Sequence, residues 1–201
     1  MLLKKSLILL TLFFIFSCSA KVEITKPIKV NVASGLKKIP GKYAAYIQTG
    51  GWQLETESTS FACSAWTFEA DINQPYYNAM KKILSEIFED ITFTENILSK
   101  NEISDFGYLA QISILQTSAK ANFDFHGTGA NFIFFLNSIV SAQNNKGLVF
   151  QKNVSAEGLG QEVSNWTCNA QEGARMAVQN SIEQLVDLSS MYLYEGIKKD
   201  E

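Results

Sequence analysis

Residues 108–156 read YLAQISILQTSAKANFDFHGTGANFIFFLNSIVSAQNNKGLVFQKNVSA, and the fold turns on them. Ala119, Ala121, Phe123 and Phe125 alternate with Lys120, Asn122, Asp124 and His126. That period of two arises when one face of a strand is buried and the other solvated. Gly127-Thr128-Gly129 turns the chain into Asn131–Ser141. The Phe132-Ile133-Phe134-Phe135-Leu136 run at its centre is the pattern of a central strand covered on both faces. Asn144-Asn145-Lys146-Gly147 is a second hairpin turn, and Leu148–Ala156 a third strand. Strands joined in this way predict an antiparallel meander.

Downstream, Ala156–Ser164 holds Gly158-Leu159-Gly160 and reads as a loop. Asn169-Ala170-Gln171-Glu172 has the form of a capping box, in which the Asn side chain accepts from an amide three residues on and the Glu reaches back. A helix from about Ala170 to Lys198 follows, with Ala174, Ala177, Val178, Ile182, Leu185, Leu188 and Tyr192 as its apolar stripe. Gly173, Ala174 and Ala177 keep its first turns thin enough to lie close on a sheet. Lys198 and Lys199 end it where the helix dipole favours cations.

Upstream, Lys42–Gln48 reads as a strand ended by Thr49-Gly50-Gly51, Trp52–Ser60 as a loop or edge strand, and Phe61–Ala70 as a strand. Asn73-Gln74-Pro75 signals a helix start. Tyr76, Ala79, Met80, Ile83, Leu84, Ile87 and Phe88 then recur at three- and four-residue spacing as one apolar stripe. Ile91–Phe93 returns as a short strand, and Ser99–Asp105 reads as a polar connection. Together these elements predict an α+β domain, an antiparallel-rich sheet with two helices packed on one face.

The N-terminus has a different character. Lys4 and Lys5 precede Leu7–Phe16, an almost wholly apolar run, and no charge follows until Lys21. A positive start, a short apolar stretch and small residues make a secretory signal peptide. The run is short of the ~20 apolar residues a membrane span needs. Ile15-Phe16-Ser17-Cys18 resembles the bacterial lipobox: an aliphatic residue at −3, a small one at −1, then the Cys that becomes the lipidated N-terminus. The resemblance implies a diacylglycerol thioether on Cys18 and usually a third acyl chain. Two or more chains give stable anchoring where one gives only marginal binding. Ser19 in place of Asp implies, by the enterobacterial sorting rule of that family, the outer membrane. Cleavage after Ala20, with Cys18-Ser19-Ala20 as a loose A-x-A site, is the competing reading. It would release a soluble secreted protein, in which Asn153-Val154-Ser155 and Asn165-Trp166-Thr167 would be glycosylation sequons if the cell is eukaryotic.

On the lipoprotein reading residues 1–17 are signal peptide, 18–40 anchor, tether and first strand, and 41–201 one α+β domain. Seventeen Lys and Arg against 20 Asp and Glu give the full chain a formal charge of −3. Loss of Lys4 and Lys5 takes it to −5. An acidic balance argues against nucleic acid, whose binders present basic patches, and first of all serves solubility.

Little in the chain carries chemistry. His126, the one histidine, shares a strand face with Asp124, but a catalytic base has to sit between nucleophile and orienter, and no G-x-S-x-G elbow is present. One histidine without C-x-x-C or H-E-x-x-H builds no usual zinc site. Gly127-Thr128-Gly129 and Gly158-Leu159-Gly160 complete no phosphate-loop motif. Glu89-Asp90 and Glu55/Glu57 read as solvated surface. The expectation is no catalytic residue, no metal and no cofactor. The residues with some binding potential are Tyr43, Tyr46 and Trp52, clustered around a Gly-Gly loop, and Tyr76-Tyr77 at the opening of the first helix, since aromatics on Gly-flanked loops suit protein or glycan contact. Core or hairpin packing is the leading reading for all of these aromatics.

In size and element order the chain looks like the small α+β lipoproteins of Gram-negative envelopes, such as the lipopolysaccharide-assembly partner LptE and the auxiliary lipoproteins of transporters. That resemblance implies a non-catalytic, membrane-anchored module that binds or scaffolds another envelope component. A soluble secreted factor and an enzyme of unrecognised type are the alternatives.

Cys63 and Cys168 are the pair left in the folded part, and in an oxidising compartment they are expected to form a disulfide. Closing a loop of about 105 residues is worth roughly 4–5 kcal/mol in the chain-entropy model. Either single Cys→Ser change should lower the melting temperature markedly, and the double change should cost about as much as one. Two alkylatable thiols found by non-reducing mass spectrometry on the exported protein would refute the bridge.

Overall fold

The computed structural model describes residues 19–24, 27–30, 37–52, 54–58, 67–126, 129–163 and 171–199. Its elements are β1 (Ser19–Val22), β2 (Ile39–Ile47), β3 (Leu54–Ser58), β4 (Thr67–Ala70), α1 (Asn73–Ile87), β5 (Phe88–Thr94), α2 (Lys100–Asp105), β6 (Ala110–His126), β7 (Gly129–Gln143), β8 (Leu148–Val163) and α3 (Gln171–Lys198). The main sheet has the order β5-β2-β6-β7-β8, with β3 also paired to β6; β1 and β4 form a small parallel pair.

The fold is α+β, and the meander lies at its centre. β6, β7 and β8 are antiparallel over nearly their whole lengths. The sheet as a whole is mixed, because β5, β2 and β3 join it in parallel. Parallel neighbours need crossovers, and α1 supplies the one between β2 and β5.

Alternation along β7 is strict. Ala130, Phe132, Phe134, Leu136, Ser138, Val140 and Ala142 are buried, and the residues between them are half-buried. The buried set faces α1 and α3, which share one core with it. All seven expected residues of the α1 stripe are buried, including Phe88, which opens β5. The stripe of α3 holds through Leu185 and then departs from expectation. Val186, Ser189, Leu193 and Ile197 are buried, while Leu188 and Tyr192 are half-buried. A polar residue, Ser189, occupies a core position there, so hydropathy alone misplaces the face.

Two polar segments are structured. Ser99–Asp105 contains α2, started by a capping box in which Ser99 accepts from the Glu102 amide and Glu102 accepts from the Ser99 amide at 2.7 Å. α2 and the preceding segment cover the sheet face opposite the long helices. There the buried Gln111 accepts from Leu98 N at 2.7 Å and donates to Thr94 Oγ1 and Asn96 O, both at 3.1 Å. Ala156–Ser164 is not a loop as far as Val163: it continues β8 in register with β7.

Gly158 and Gly160 are therefore strand residues, there because α3 presses on β8. A Cβ on Gly158 would collide with the Ala177 carbonyl oxygen and lie 2.9 Å from Ser181 Cβ. On Gly160 it would collide with the Gly173 carbonyl and lie 2.8 Å from Ala177 N. At the rim of the same strand Glu157 N donates to Gln184 Oε1 at 2.6 Å, and Leu159 O accepts from Asn180 Nδ2 at 2.8 Å. Backbone on both sides leaves little room to yield, so Gly158→Ala or Gly160→Ala should each destabilise the protein by about 2–3 kcal/mol. Urea denaturation measures this, and a change within error of zero at both positions would contradict the close approach.

Candidate functional site

The expected aromatic cluster separates in the fold. Tyr43 is buried and its ring lies 4.7 Å from that of Phe88. Trp52 is buried too, with its ring 4.7 Å from Tyr76 and its indole N–H donating to Asn137 O at 2.9 Å. Tyr46 is half-buried and pairs in register with Thr94 and Ser113 on the neighbouring strands. These residues make no exposed aromatic surface; Tyr43 and Trp52 are core. The Gly50-Gly51 loop carries Trp52 inward because β2 and β3 lie in line along β6 and the loop must step between them.

Gln116 makes that step. It lies at a β-bulge, where the register of β6 against β7 shifts between Gln116 and Ser118. Its Oε1 accepts from Gly51 N at 2.7 Å and Trp52 N at 3.2 Å, and its backbone N–H donates to Gln48 Oε1 at 3.0 Å. A bulge interrupts the ladder, so the Asn137 carbonyl beside it is open to the Trp52 indole. Asn73 Oδ1, at the start of α1, holds the same loop through Gly50 N at 3.0 Å.

Below Trp52 the buried hydroxyl of Tyr76 is flanked by those of Ser138 and Ser189, although none of the three attains hydrogen-bond geometry. Burial raises the phenol well above its usual 10.0, and the two serines oppose that rise. All three stand on separate elements and face inward.

The other candidates lie apart. Asp124 is exposed near the end of β6, opposite Asn131 in register, and His126 pairs with Gly129 at the hairpin. Cys18, Cys63, Cys168 and Asn169 lie outside the described residues. Glu172, expected in a capping box, pairs with Arg175, accepting from its Nε at 2.7 Å. Among the described residues no three His, Cys, Asp or Glu side chains gather as a metal site, and no helix is long and apolar enough to cross a membrane.

Sequence reasoning did not single out the end of the sheet where β6 and β8 begin. Phe106, Leu109 and Leu148 are exposed there, Leu148 by 64 %. A cleft of about 240 Å³ is lined by Tyr43, Leu109, Ala142, Val149 and Ile197 among others. A second of about 370 Å³ adjoins it through Val149 and includes Phe150, Tyr192 and Lys152. Lysines lie over tyrosine rings around this end: Lys42 over Tyr108 at 4.8 Å, Lys152 over Tyr192 at 5.2 Å and Lys198 over Tyr194 at 4.4 Å. The signal in the sequence was apolar residues in or beside turns, where solvation alone would select polar ones.

Tyr76 gives a test of the core. The neutral phenol is favoured in the fold, so its contribution is whole below pH 10 and is lost as pH rises above that value, where the unfolded chain releases the proton first. The loss should approach about 1.4 kcal/mol per pH unit for one group. Tyr76→Phe should flatten the decline of stability between about pH 10 and pH 11, read by urea titration at each pH. An unchanged slope would place the phenol in water.

No protein-family model matches the sequence, and no curated protein matches it. Among solved structures it is similar to a protein of the DUF330 family from Xanthomonas campestris, at TM-score 0.48 and 7% identity, over 90% of this chain and 98% of that one. It is similar also to a homolog of a neuraminyllactose-binding hemagglutinin from Helicobacter pylori, at TM-score 0.43 and 6% identity, over 86% and 96%. A lipoprotein of Neisseria meningitidis matches at TM-score 0.35 and 11% identity, over 78% and 96%. At such scores these likenesses assign neither family nor activity to the chain.

Proposed function

We propose that the chain is a non-catalytic lipoprotein of the bacterial envelope, anchored through Cys18 to the outer membrane on its periplasmic side, where it binds or scaffolds another envelope protein. The observation that carries this reading is the run from Lys4-Lys5 through the apolar stretch to Ile15-Phe16-Ser17-Cys18. Behind it stands a folded domain whose surface offers a place to be met. The exposed apolar residues and ringed lysines where β6 and β8 begin fit a partner presenting apolar side chains flanked by carboxylates.

Placement of the cysteine-flanking elements supports the disulfide. Cys63 precedes Thr67 of β4 by four residues, and Cys168 precedes Gln171 of α3 by three. β4 pairs with β1, whose Lys21 and Val22 line one cleft with Gln171. The first described residues after each cysteine thus lie toward one end of the molecule. Asp124 lies on the sheet face away from the long helices.

Cys18→Ala should abolish labelling by radioactive palmitate and partitioning into detergent, leaving a precursor or a soluble form. A wild-type protein that fractionates as soluble and begins at Lys21 would refute the anchor. His126→Ala and Asp124→Ala should leave the cellular phenotype of the wild type. Loss of that phenotype in His126→Ala with an intact circular dichroism spectrum would overturn the non-catalytic reading.

A further inference from the structure

If Cys18 is the lipidated residue, almost no chain separates the lipid from the fold. β1 begins at Ser19, in register with Thr67 of β4, and Val22 is buried in the core. Consecutive Cα atoms are about 3.8 Å apart, so the anchor cannot act as a tether at that point. Further along, Ile24, Ile28 and Val30 pack against the core.

The end of the molecule to which β1 leads is defined by its neighbours. Lys21, Val22 and Glu23 line a cleft with Glu162, Gln171, Glu172 and Arg175, whereas Lys29 N donates to Glu183 at 3.0 Å. The described residues therefore pass from the first turn of α3 toward its middle, and Ser19 begins them at the outer end. β8 ends and β7 begins at the same pole: Val163, 84 % exposed, faces Gly129 in register. Leu148 and Lys146 lie at the other end of β7, roughly 45 Å away at 3.2–3.4 Å per strand residue.

We propose that this pole rests on the bilayer, held against the phospholipid headgroups by the short attachment, with Val163 facing the interface. The inference rests on the lipid-anchored reading. Electrostatics is a minor contributor here. Lys21 pairs with Glu23 at 3.4 Å and Arg175 pairs with Glu172, while Glu162 keeps its charge and accepts from Gly173 N at 2.9 Å, so the described residues of the pole offer no net positive charge to an anionic leaflet. What sets the geometry is length. The opposite pole, with Leu109, Leu148 and the lysine–tyrosine pairs, is then displayed away from the membrane.

The full lipidated chain, reconstituted in vesicles of phosphatidylethanolamine and phosphatidylglycerol, tests this against soluble Cys18→Ala protein. A mass spectrum of the N-terminal peptide comes first: without acyl chains on Cys18 the lipoprotein reading fails, and this inference with it. With lipid present, amide hydrogen exchange should slow several-fold in residues 129–132 and 160–163 on vesicles and stay unchanged in 143–148. A flexible insert of about twelve Gly and Ser residues directly after Cys18 should remove the difference. Equal exchange at both poles on lipid and in solution, equal slowing at both, or protection that survives the insert would each overturn the pole-on attachment while leaving the lipoprotein reading intact.

Discussion

The structure depends on how closely α3 approaches β8. Gly158 and Gly160 on the strand meet Gly173 and Ala177 on the helix, so backbone lies against backbone for two turns. Dispersion is short-ranged, and a gap of an ångström forfeits much of it. Without that contact the remaining buried stripe of α3, from Val178 to Ile197, would stand off from Phe132, Phe134 and Leu136. A helix of 28 residues is thus aligned by its first two turns, and α1 is in turn positioned against it and the sheet.

A second constraint fixes the other half of the molecule. β6 is long enough to serve two partners in succession, β2 at Ala110–Ile114 and β3 at Ala119–Phe123. Switching partners along one strand leaves backbone groups without a ladder, and buried groups of that kind have to be paired. The bulge at Gln116, the Gln48 side chain and the Trp52 indole satisfy them together. One glutamine side chain accepting from two of those amides, Gly51 N and Trp52 N, explains a polar residue where the alternation calls for an apolar one.

Periodicity made much of this legible. The meander, the α1 stripe and the first half of the α3 stripe are dominated by burial on one face, and burial is what a period of two or 3.6 records. The parallel arrangement of β2, β3 and β5 was not readable, because pairing direction depends on crossovers rather than on which face is apolar. Gly158 and Gly160 misled for a related reason. Glycine marks turns when the chain needs a positive φ and marks packing when a neighbour comes close, and the two uses look alike in sequence. α2 was announced by Ser99 and Glu102, a capping pair set in polar surroundings that masked it. Tyr43 and Trp52 stood beside glycines, as binding aromatics would, but their partners Phe88 and Tyr76 lie far along the chain, and only the fold brings them together. The resemblance to a lipobox, by contrast, lies in contiguous residues and needs no fold to be read.

The side chains of Asn180 and Gln184 do more than join a helix to a strand. β8 is an outer strand, and a bare rim of peptide groups invites another chain to extend the sheet. By bonding to Leu159 O and Glu157 N, the two amides occupy part of that rim with groups from the protein's own helix. On the opposite margin, β5 carries Glu89 and Asp90, both exposed, whose charges disfavour a stacked copy. Molecules at high local density would otherwise meet edge to edge, and both margins of this sheet carry groups that oppose such pairing.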